Sequence, residues 1–324
     1  MAESDGVLAD LIRYVTGYFI SPVIGVEPVD RGYLNRKWVV QTDLGIMFVK
    51  QYHKGRYPDE KLATVEEALR RQNELYRAGV ACPRVYESGS GPIHRTPSGE
   101  SIVIMSRCVG DLVEFGQASA DQMYSLGRAA AQMHAYLNDR GTVGSPQWSW
   151  PTAEALLDRW QRNWNAATNR GDDRILSTLE IQRGILTDFD FSLLEQSEPG
   201  WMHWDLWADN VLFAGDSVSG LLDFDRMRIG YSEADLARAI LSFALEGETL
   251  RTDAVRAFMR GYGQRKKLTA SDLVRAFHVL YAMEAHYVWS IADNTRPGYR
   301  FTDELVWLTR NWSRLPEMLS WGEE

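Results

Sequence analysis

Four polar side chains between residues 201 and 225 have types and spacing that could support phosphoryl transfer. His203 and Asp205 precede Asn210, and two short apolar stretches with a polar turn between them separate Asn210 from Asp223. This pattern predicts two short strands joined by a turn. One carboxylate and one amide would lie just before the hairpin, and further carboxylates would lie just after it.

Transfer of a γ-phosphoryl group requires little covalent chemistry from a protein. The protein must orient the attacking hydroxyl, hold magnesium and neutralise the charge that develops. The Asp205 carboxylate can accept the hydroxyl proton or orient the hydroxyl. Asn210 and Asp223 offer the hard oxygen atoms that Mg2+ prefers, and the nucleotide would supply further ligands. The sequence therefore predicts Asp205 as the catalytic residue, with Asn210 and Asp223 as metal ligands.

The spacing His-x-Asp-x-x-x-x-Asn, followed by Asp-Phe-Asp, resembles that of the aminoglycoside phosphotransferase and choline kinase superfamily of small-molecule kinases. The run Asp235-Leu236-Ala237 resembles a further element of that superfamily. The resemblance implies an α+β, protein-kinase-like bilobal fold. Its N-terminal lobe would be an antiparallel sheet with one main helix, and its larger C-terminal lobe would be mainly helical. ATP and Mg2+ are the implied cofactors, and Asp205 is the implied catalytic base.

Type II homoserine kinases are similar in length and have a similar G-x-x-C-P turn and S-G-L-x-D-F segment. This sequence differs from the protein-kinase motifs at two positions. Trp204 stands where they carry Arg, and no A-P-E follows Asp223, so an activation loop controlled by phosphorylation is not expected. Small-molecule kinases mostly carry a small residue in place of Trp204, a departure that concerns the shape of the acceptor pocket more than the chemistry.

Composition narrows the functional classes further. The chain has 324 residues, of which 45% are hydrophobic and 24% charged, as in a globular protein large enough for two lobes. It has no apolar run long enough for a membrane helix, and its acidic N-terminus does not resemble a secretion signal. The net charge of −9 argues against a nucleic-acid partner. Cys82 and Cys108 have neither metal-ligand spacing nor the numbers for a disulfide scaffold, so a cytoplasmic location is expected.

Residues 1–105 are predicted to form the N-terminal, nucleotide-binding lobe. After a helix near Leu8–Tyr18, three apolar stretches predict a three-strand meander that ends at Lys50, with Thr42–Gly45 as one hairpin turn. Gly32 lies in the turn between the first two strands. A residue without a side chain allows backbone amides to approach phosphate oxygens, so this turn is predicted to lie over the triphosphate.

Lys50 ends an apolar strand and resembles the lysine that contacts the α- and β-phosphates of ATP in the kinase fold. The helix predicted over Asp59–Ala78 should supply a glutamate to pair with this lysine. Glu67 is the predicted partner and Glu66 the alternative, while Glu74 lies nearly two turns further along.

A hinge is predicted at residues 106–110, after strand patterns at 92–95 and 101–105. An extended backbone can bind the edge of an adenine ring through its amide and carbonyl groups. By position in the superfamily, the residues that would do so include Met105 and Cys108.

Residues 111–324 are predicted to form the catalytic and acceptor-binding lobe, and their apolar periodicity is helical. His134 is predicted to be a core or capping histidine rather than a catalytic one. The predicted helices include Leu126–His134, Trp148–Trp164, Ile175–Leu194, Leu236–Leu245, Thr252–Tyr262, Asp272–Trp289 and Asp303–Leu315.

The chain contains 12 tryptophans, concentrated in the predicted C-terminal lobe. An aromatic face attracts a cationic amine by about 0.5–2 kcal/mol. Ordinary core packing is the alternative for most of them, but two flank Asp205 directly. Those that could line an acceptor pocket are Trp160, Trp164, Trp204, Trp207 and Trp289.

The predicted function is ATP-dependent transfer of the γ-phosphate to a hydroxyl of a small molecule. Homoserine or another amino alcohol, an aminoglycoside or other antibiotic, choline and an amino sugar all remain candidates for the acceptor. A catalytically silent kinase-fold protein that binds nucleotide or a partner is an alternative, which the intact Asp205, Asn210 and Asp223 argue against. Nucleotidyl transfer would require a reversed nucleotide. Oligomeric state and the preference for ATP or GTP stay open.

Overall fold

The computed structural model describes residues 2–29, 35–139, 144–285 and 299–320, of which 2–5 and 299–301 are described by their backbone alone. The chain divides into two compact units. The N-terminal unit comprises Met1–Asp111 and Ser219–Met227, and the C-terminal unit comprises Leu112–Val218 and Arg228–Glu324. The division therefore falls just after the predicted hinge. The N-terminal unit also takes in Ser219–Met227, a segment that lies within the predicted 111–324 lobe.

The N-terminal unit is built on an antiparallel sheet in the order β1-β2-β3-β6-β4, with β5 also paired to β6. The predicted three-strand meander is formed by the first three strands, and Thr42 pairs with Gly45 at the expected turn. The strands are β1 (Val23–Pro28), β2 (Lys37–Thr42), β3 (Gly45–Tyr52), β4 (Val85–Tyr86), β5 (His94–Arg95) and β6 (Ser101–Ser106).

Two helices cover the two faces of this sheet. Helix α1 (Ala2–Phe19) shares a core with Val49 of β3, whereas α2 (Asp59–Arg77) shares another with Tyr52. Because side chains alternate along a strand, Lys50 lies on the face of β3 that Tyr52 and α2 occupy. Alternation thus directs a lysine into an apolar layer, where its charge must be compensated.

The C-terminal unit is mainly helical, with small two-stranded sheets at its loops. The sheets pair β7 (Gly200–Met202) with β10 (Arg228–Gly230), β8 (Val211–Ala214) with β9 (Ser217–Leu221), and β11 (Leu245–Glu246) with β12 (Thr249–Leu250). The helices are α3 (Ala120–Asn138), α4 (Ala153–Arg170), α5 (Asp173–Thr187), α6 (Ser192–Glu195), α7 (Glu233–Ala244), α8 (Thr252–Tyr262), α9 (Ala270–Glu284), α10 (Tyr299–Asn311) and α11 (Leu315–Leu319). Among the described residues, no helix is both long enough and apolar enough to cross a membrane.

Helices α3 and α8 approach each other at two glycines. A β-carbon on Gly127 of α3 would lie 2.1 Å from the carbonyl oxygen of Phe258, and one on Gly261 of α8 would lie 2.0 Å from that of Tyr124. Each glycine therefore accommodates the backbone of the opposite helix. This close contact fixes the spacing of two helices that also carry His134 and Tyr262.

Several helices begin or end at residues other than those that the sequence predicts. Thr152 caps α4 through a hydrogen bond from Ala155 N–H, so residues 148–152 precede the helix. The helix predicted over Ile175–Leu194 is two helices, since α5 ends at Thr187 and α6 begins at Ser192. Helix α9 ends at Glu284, and Trp289 lies outside the described residues.

Candidate active site

Asp205 and Asn210 lie together in the loop that follows β7. The Asn210 side-chain Nδ2 donates hydrogen bonds to the backbone oxygen of Asp205 at 2.9 Å and to its Oδ2 at 3.1 Å. A 3-10 turn (Ala208–Asn210) closes this loop before β8 begins. Because the Asn210 nitrogen faces Asp205, its Oδ1 is directed away from that carboxylate. The amide thus orients the candidate base while keeping an oxygen for another ligand.

Asp235, at the start of α7, holds the backbone that leads into Asp205. Its Oδ2 accepts the His203 N–H at 2.6 Å, and its Oδ1 accepts the Trp204 N–H at 2.9 Å. Asp235 is only 1% exposed, so these charge-assisted bonds are shielded from water. Trp204 has a φ of +65°, a left-handed conformation that costs on the order of 1–3 kcal/mol for a residue with a side chain. The strained residue immediately before Asp205 is therefore held by the bonds to Asp235.

His134 extends this network. Its Nε2 lies 3.0 Å from Asp235 Oδ2, and its Nδ1 lies 3.0 Å from the Tyr262 hydroxyl. With a hydrogen on Nε2, the His134 ring can donate a hydrogen bond to Asp235 and accept one from the Tyr262 hydroxyl at Nδ1. His134 is buried, as predicted for a core histidine, and contacts the anchor of the loop rather than Asp205.

In the N-terminal unit, Lys50 forms a buried cluster with two carboxylates. Its Nζ lies 2.8 Å from Asp223 Oδ1 and 2.6 Å from Asp225 Oδ2, and Asp225 Oδ1 accepts the Tyr52 hydroxyl at 2.9 Å. Burial of Lys50, which is 4% exposed, lowers its pKa. The two carboxylates outweigh that effect and raise the pKa of Lys50 above its usual range. The lysine therefore stays cationic.

Asp223 has an unusual backbone as well as a charged partner. Its φ of +59° and ψ of +60° are left-handed, and it immediately precedes a 3-10 turn (Phe224–Arg226) against which α2 packs. Asp223 and Trp204 are two of the three non-glycine residues with positive φ in the described part of the chain. Such conformations persist when the surrounding structure requires them, and they cluster at functional sites.

The expected partner of Lys50 must be corrected. Glu67 accepts a hydrogen bond from Arg71 at 3.2 Å, and its side chain is 45% exposed. Glu66, the alternative, pairs with Arg70. The second Asp of the Asp-Phe-Asp segment, Asp225, takes the place expected for the helix glutamate. A carboxylate in the buried layer of Lys50 compensates its charge better than one on the outer side of α2.

The residues predicted to bind the adenine ring and the triphosphate, which are Met105, Cys108 and Gly32, differ in their surroundings. Met105 is buried in the core shared with α2, and its sulfur accepts a hydrogen bond from Gln72 at 3.6 Å. Cys108 lies beyond the end of β6, and burial raises the pKa of its thiol to about 11. A β-carbon on Gly220 would lie 3.0 Å from the Cys108 sulfur, so β9 approaches this segment closely. Gly32 lies outside the described residues.

The described tryptophans that could line an acceptor pocket have different surroundings. Trp160 stacks on Trp164 of the same helix and donates to the Leu179 carbonyl, so it belongs to the contact between α4 and α5. Trp207 is buried, and the Arg238 guanidinium carbon lies 4.2 Å from the centre of its ring. In the same way, the Arg228 guanidinium carbon lies 5.0 Å from the centre of the Trp204 ring.

Comparison with known proteins places this chain in a family. The model of the phosphotransferase enzyme family matches residues 25–272, a range that contains Lys50, Asp205, Asn210, Asp223 and Asp235. The chain belongs to the phosphotransferase enzyme family. A homoserine kinase of Rhizobium meliloti (strain 1021) is 25% identical over 317 residues, covering 93% of this chain and 90% of that protein.

Solved structures of other phosphotransferases share the fold. An aminoglycoside phosphotransferase from Alicyclobacillus acidocaldarius subsp. acidocaldarius DSM 446 has a TM-score of 0.61 and 16% identity, covering 90% of each chain. An amicoumacin kinase in complex with AMP-PNP and Ca2+ has a TM-score of 0.54 and 14% identity, covering 89% of this chain and 88% of that one. This member of the phosphotransferase family is therefore a small-molecule kinase with a protein-kinase-like fold, which confirms the predicted fold and enzyme class.

Sequence reasoning missed several residues of these networks, including Tyr262 beside His134. Asp225 and Tyr52 surround Lys50, and Arg228 and Arg238 cover the two tryptophans beside Asp205. Asp225 was detectable in principle, because it is the second acid of the Asp-Phe-Asp segment. The two arginines carry no comparable signal in their spacing.

Proposed function

We propose that this phosphotransferase moves the γ-phosphate of ATP to the hydroxyl of a small hydroxy amino acid or amino alcohol, with homoserine as the leading acceptor. The observation that supports this most is the hydrogen bonding of Asp205, which Asn210 orients on one side while Asp235 holds the strained residue before it. The proposal names homoserine because similar proteins that match most of this chain are homoserine kinases.

In the proposed step, Asp205 accepts the proton of the acceptor hydroxyl as its oxygen bonds to the γ-phosphorus. The bond between that phosphorus and the oxygen bridging to the β-phosphate breaks, so the products are a phosphate ester and ADP. The proton passes from Asp205 to solvent. General-base assistance of this kind contributes roughly 100- to 10,000-fold to the rate.

Lys50 would bind the nucleotide phosphates, because it remains protonated in its carboxylate cluster. Asn210 Oδ1 and the Asp223 carboxylate would be the protein ligands of Mg2+, which would neutralise charge on the phosphate oxygens when bound. The donor types fit this ion. In the described part of the chain, no group of three or more His, Cys, Asp and Glu side chains could hold a metal, so the nucleotide would complete the coordination.

For the adenine ring, the proposed contacts are backbone groups near Met105 and Cys108. Glu67 is not retained as the partner of Lys50, since Asp223 and Asp225 occupy that place.

The test is ADP release from purified protein with ATP, Mg2+ and a panel of acceptors: L-homoserine, other amino alcohols, choline, aminoglycosides and sugars. We expect turnover with a hydroxy amino acid or amino alcohol, and a product heavier by one phosphate group. Asp205→Asn should lower kcat by at least 100-fold while ATP binding, measured by calorimetry, is retained. Normal turnover by this variant would exclude Asp205 as the base, and a product carrying a whole nucleotide would exclude a kinase reaction.

A further inference from the structure

A second lysine lies beside Lys50 on the same face of the N-terminal sheet. Lys37 begins β2, and the register of β2 with β3 places it directly opposite Lys50. Directly opposed residues of an antiparallel pair have side chains on the same face, with β-carbons about 4.5–5.5 Å apart. The next pair, Trp38 and Val49, belongs to the core shared with α1. Both lysines therefore point to the other face, which α2 occupies.

The two lysines differ in their partners. Lys50 is bonded to Asp223 and Asp225, whereas Lys37 forms no hydrogen bond or ion pair with any residue that the structure describes. Lys37 is nevertheless half-buried. Burial lowers the pKa of Lys37, and so does the charge of Lys50, while Asp223 and Asp225 offset these effects only in part. This is the direction expected of a cation that has lost water without gaining a bonded anion.

The surroundings of Lys37 suit a phosphate chain. Asp223, a proposed ligand of Mg2+, lies close enough to act on the pKa of Lys37 but forms no bond with it. The Asp223 side chain is 31% exposed, so a solute can reach this end of the cluster. A group bound there must present negative charge to Lys37 and share a metal ion with Asp223. The phosphate oxygens of a nucleotide do both.

Lysine binds phosphate as a point charge through three N–H donors. Lys50 already donates to Asp223 and Asp225, whereas the donors of Lys37 have no acceptor among the described residues. We infer that Lys37 binds the phosphate chain of the nucleotide beside Lys50, and that it supplies the positive charge that no carboxylate of the protein compensates. This inference rests on the proposed function and adds a phosphate-binding residue to it.

Calorimetry with adenosine, AMP, ADP and AMP-PNP tests the inference on the full chain in the presence of Mg2+. The gain in affinity from adenosine to AMP-PNP measures what the phosphates contribute to binding. We expect Lys37→Gln to bind AMP-PNP at least tenfold more weakly than wild type and to bind adenosine with an unchanged Kd. Because Lys37 has no bonded partner among the described residues, the variant should unfold at the same urea concentration as wild type or at a higher one.

Two further variants separate a direct contact from a general effect of charge. Lys37→Arg keeps the cation, so its affinity for AMP-PNP should lie between those of wild type and Lys37→Gln. Lys54→Gln changes the net charge of the same unit by the same amount, but Lys54 is 62% exposed and pairs with Glu100. It should bind AMP-PNP as wild type does. A loss of the same size in Lys54→Gln would overturn the direct contact.

The outcomes also distinguish this inference from the proposed function. Equal losses for adenosine and AMP-PNP in Lys37→Gln would overturn the inference, because the lysine would not be acting on the phosphates. Unchanged affinity for AMP-PNP in a folded Lys37→Gln protein would overturn it as well, while continued ADP release would leave the kinase proposal standing. A loss confined to the phosphate-bearing ligands, with no ADP release by wild type and any acceptor, would instead support the contact and reject the proposed function.

Discussion

At the scale of single residues, the most consequential charge is that of Lys50. This buried cation is compensated by two carboxylates, Asp223 and Asp225. Removing one member of such a cluster leaves an uncompensated charge in the interior. Lys50→Met should therefore lower the free energy of unfolding by about 3–5 kcal/mol, because the buried Asp225 loses its cation. Urea denaturation of the full chain measures this change.

The matched control is Lys54→Met. Lys54 pairs with Glu100 at 3.3 Å, but its side chain is 62% exposed. Exposed ion pairs contribute at most about 1 kcal/mol, so this variant should remain close to wild type in stability. Equal losses in the two variants would show that the cluster around Lys50 is not the source of the effect.

The residues of the candidate site differ in how far the sequence could predict them. Asp205 and Asn210 are five positions apart in one loop, so their contact follows from local spacing. The partner of Lys50 is not local, because Asp223 and Asp225 lie 173 and 175 residues further along the chain. Periodicity places Glu67 on α2, but neither carboxylate that pairs with Lys50 lies on that helix.

At the scale of elements, the contact of α3 with α8 depends on two glycines. Gly127→Ala or Gly261→Ala would place a methyl group within 2.1 Å of a backbone oxygen on the opposite helix, and the backbone there cannot move without separating the helices. Overpacking of this kind costs about 1–3 kcal/mol, which thermal or urea unfolding detects. Because Tyr262 of α8 contacts His134 of α3, and His134 contacts Asp235, we also expect kcat to fall.

Gly184→Ala provides the comparison. Gly184 lies within α5 with open space where a β-carbon would be, so alanine should raise the free energy of unfolding by about 0.4–1 kcal/mol. Opposite signs at Gly184 and at the two packed glycines are the expected result. If Gly127→Ala were stabilising too, the close approach of α3 and α8 would be incorrect.

Element limits show why apolar periodicity is an incomplete guide. The pattern from Ile175 to Leu194 continues through Asp190, whose Oδ1 accepts hydrogen bonds from both the backbone N–H and the hydroxyl of Ser192. Local side-chain bonds of this type compete with helix formation, so the chain breaks between α5 and α6. Thr152 determines the start of α4 in a similar way. Caps and breaks depend on single hydrogen bonds, whereas periodicity averages over many residues.

At the scale of the whole molecule, the least predictable feature is the membership of Ser219–Met227 in the N-terminal unit. This segment is joined to it by the hydrogen bond from Leu221 N–H to the Ala81 carbonyl at 2.7 Å and by the bonds of Lys50. Such contacts join residues that are far apart in sequence. The kinase-like order of sheet and helices was nevertheless predictable, because the motif from His203 to Asp223 is specific and the apolar patterns agree with it.

Stability of the whole chain should also depend on pH through His278 of α9. Its ring stacks on Trp312 at 4.1 Å, and burial lowers the pKa of His278 to about 4, although Asp190 acts in the opposite direction. An unfolded histidine has a pKa of about 6.5. Between these values the unfolded chain binds a proton that the folded chain excludes, so stability rises with pH across this interval.

The free energy of unfolding should therefore fall as pH is lowered from 6.5 to about 4, with His278 contributing up to about 3 kcal/mol of the loss. His278→Phe keeps an aromatic ring against Trp312 but cannot bind the proton. Urea denaturation of both proteins at several pH values isolates this contribution, since acidic groups that titrate in the same interval are common to both. The difference in stability between variant and wild type should move in favour of the variant as pH decreases. A difference that stays constant from pH 6.5 to 4 would mean that His278 accepts its proton in the folded protein as readily as in the unfolded chain, and that its burial against Trp312 has no electrostatic consequence.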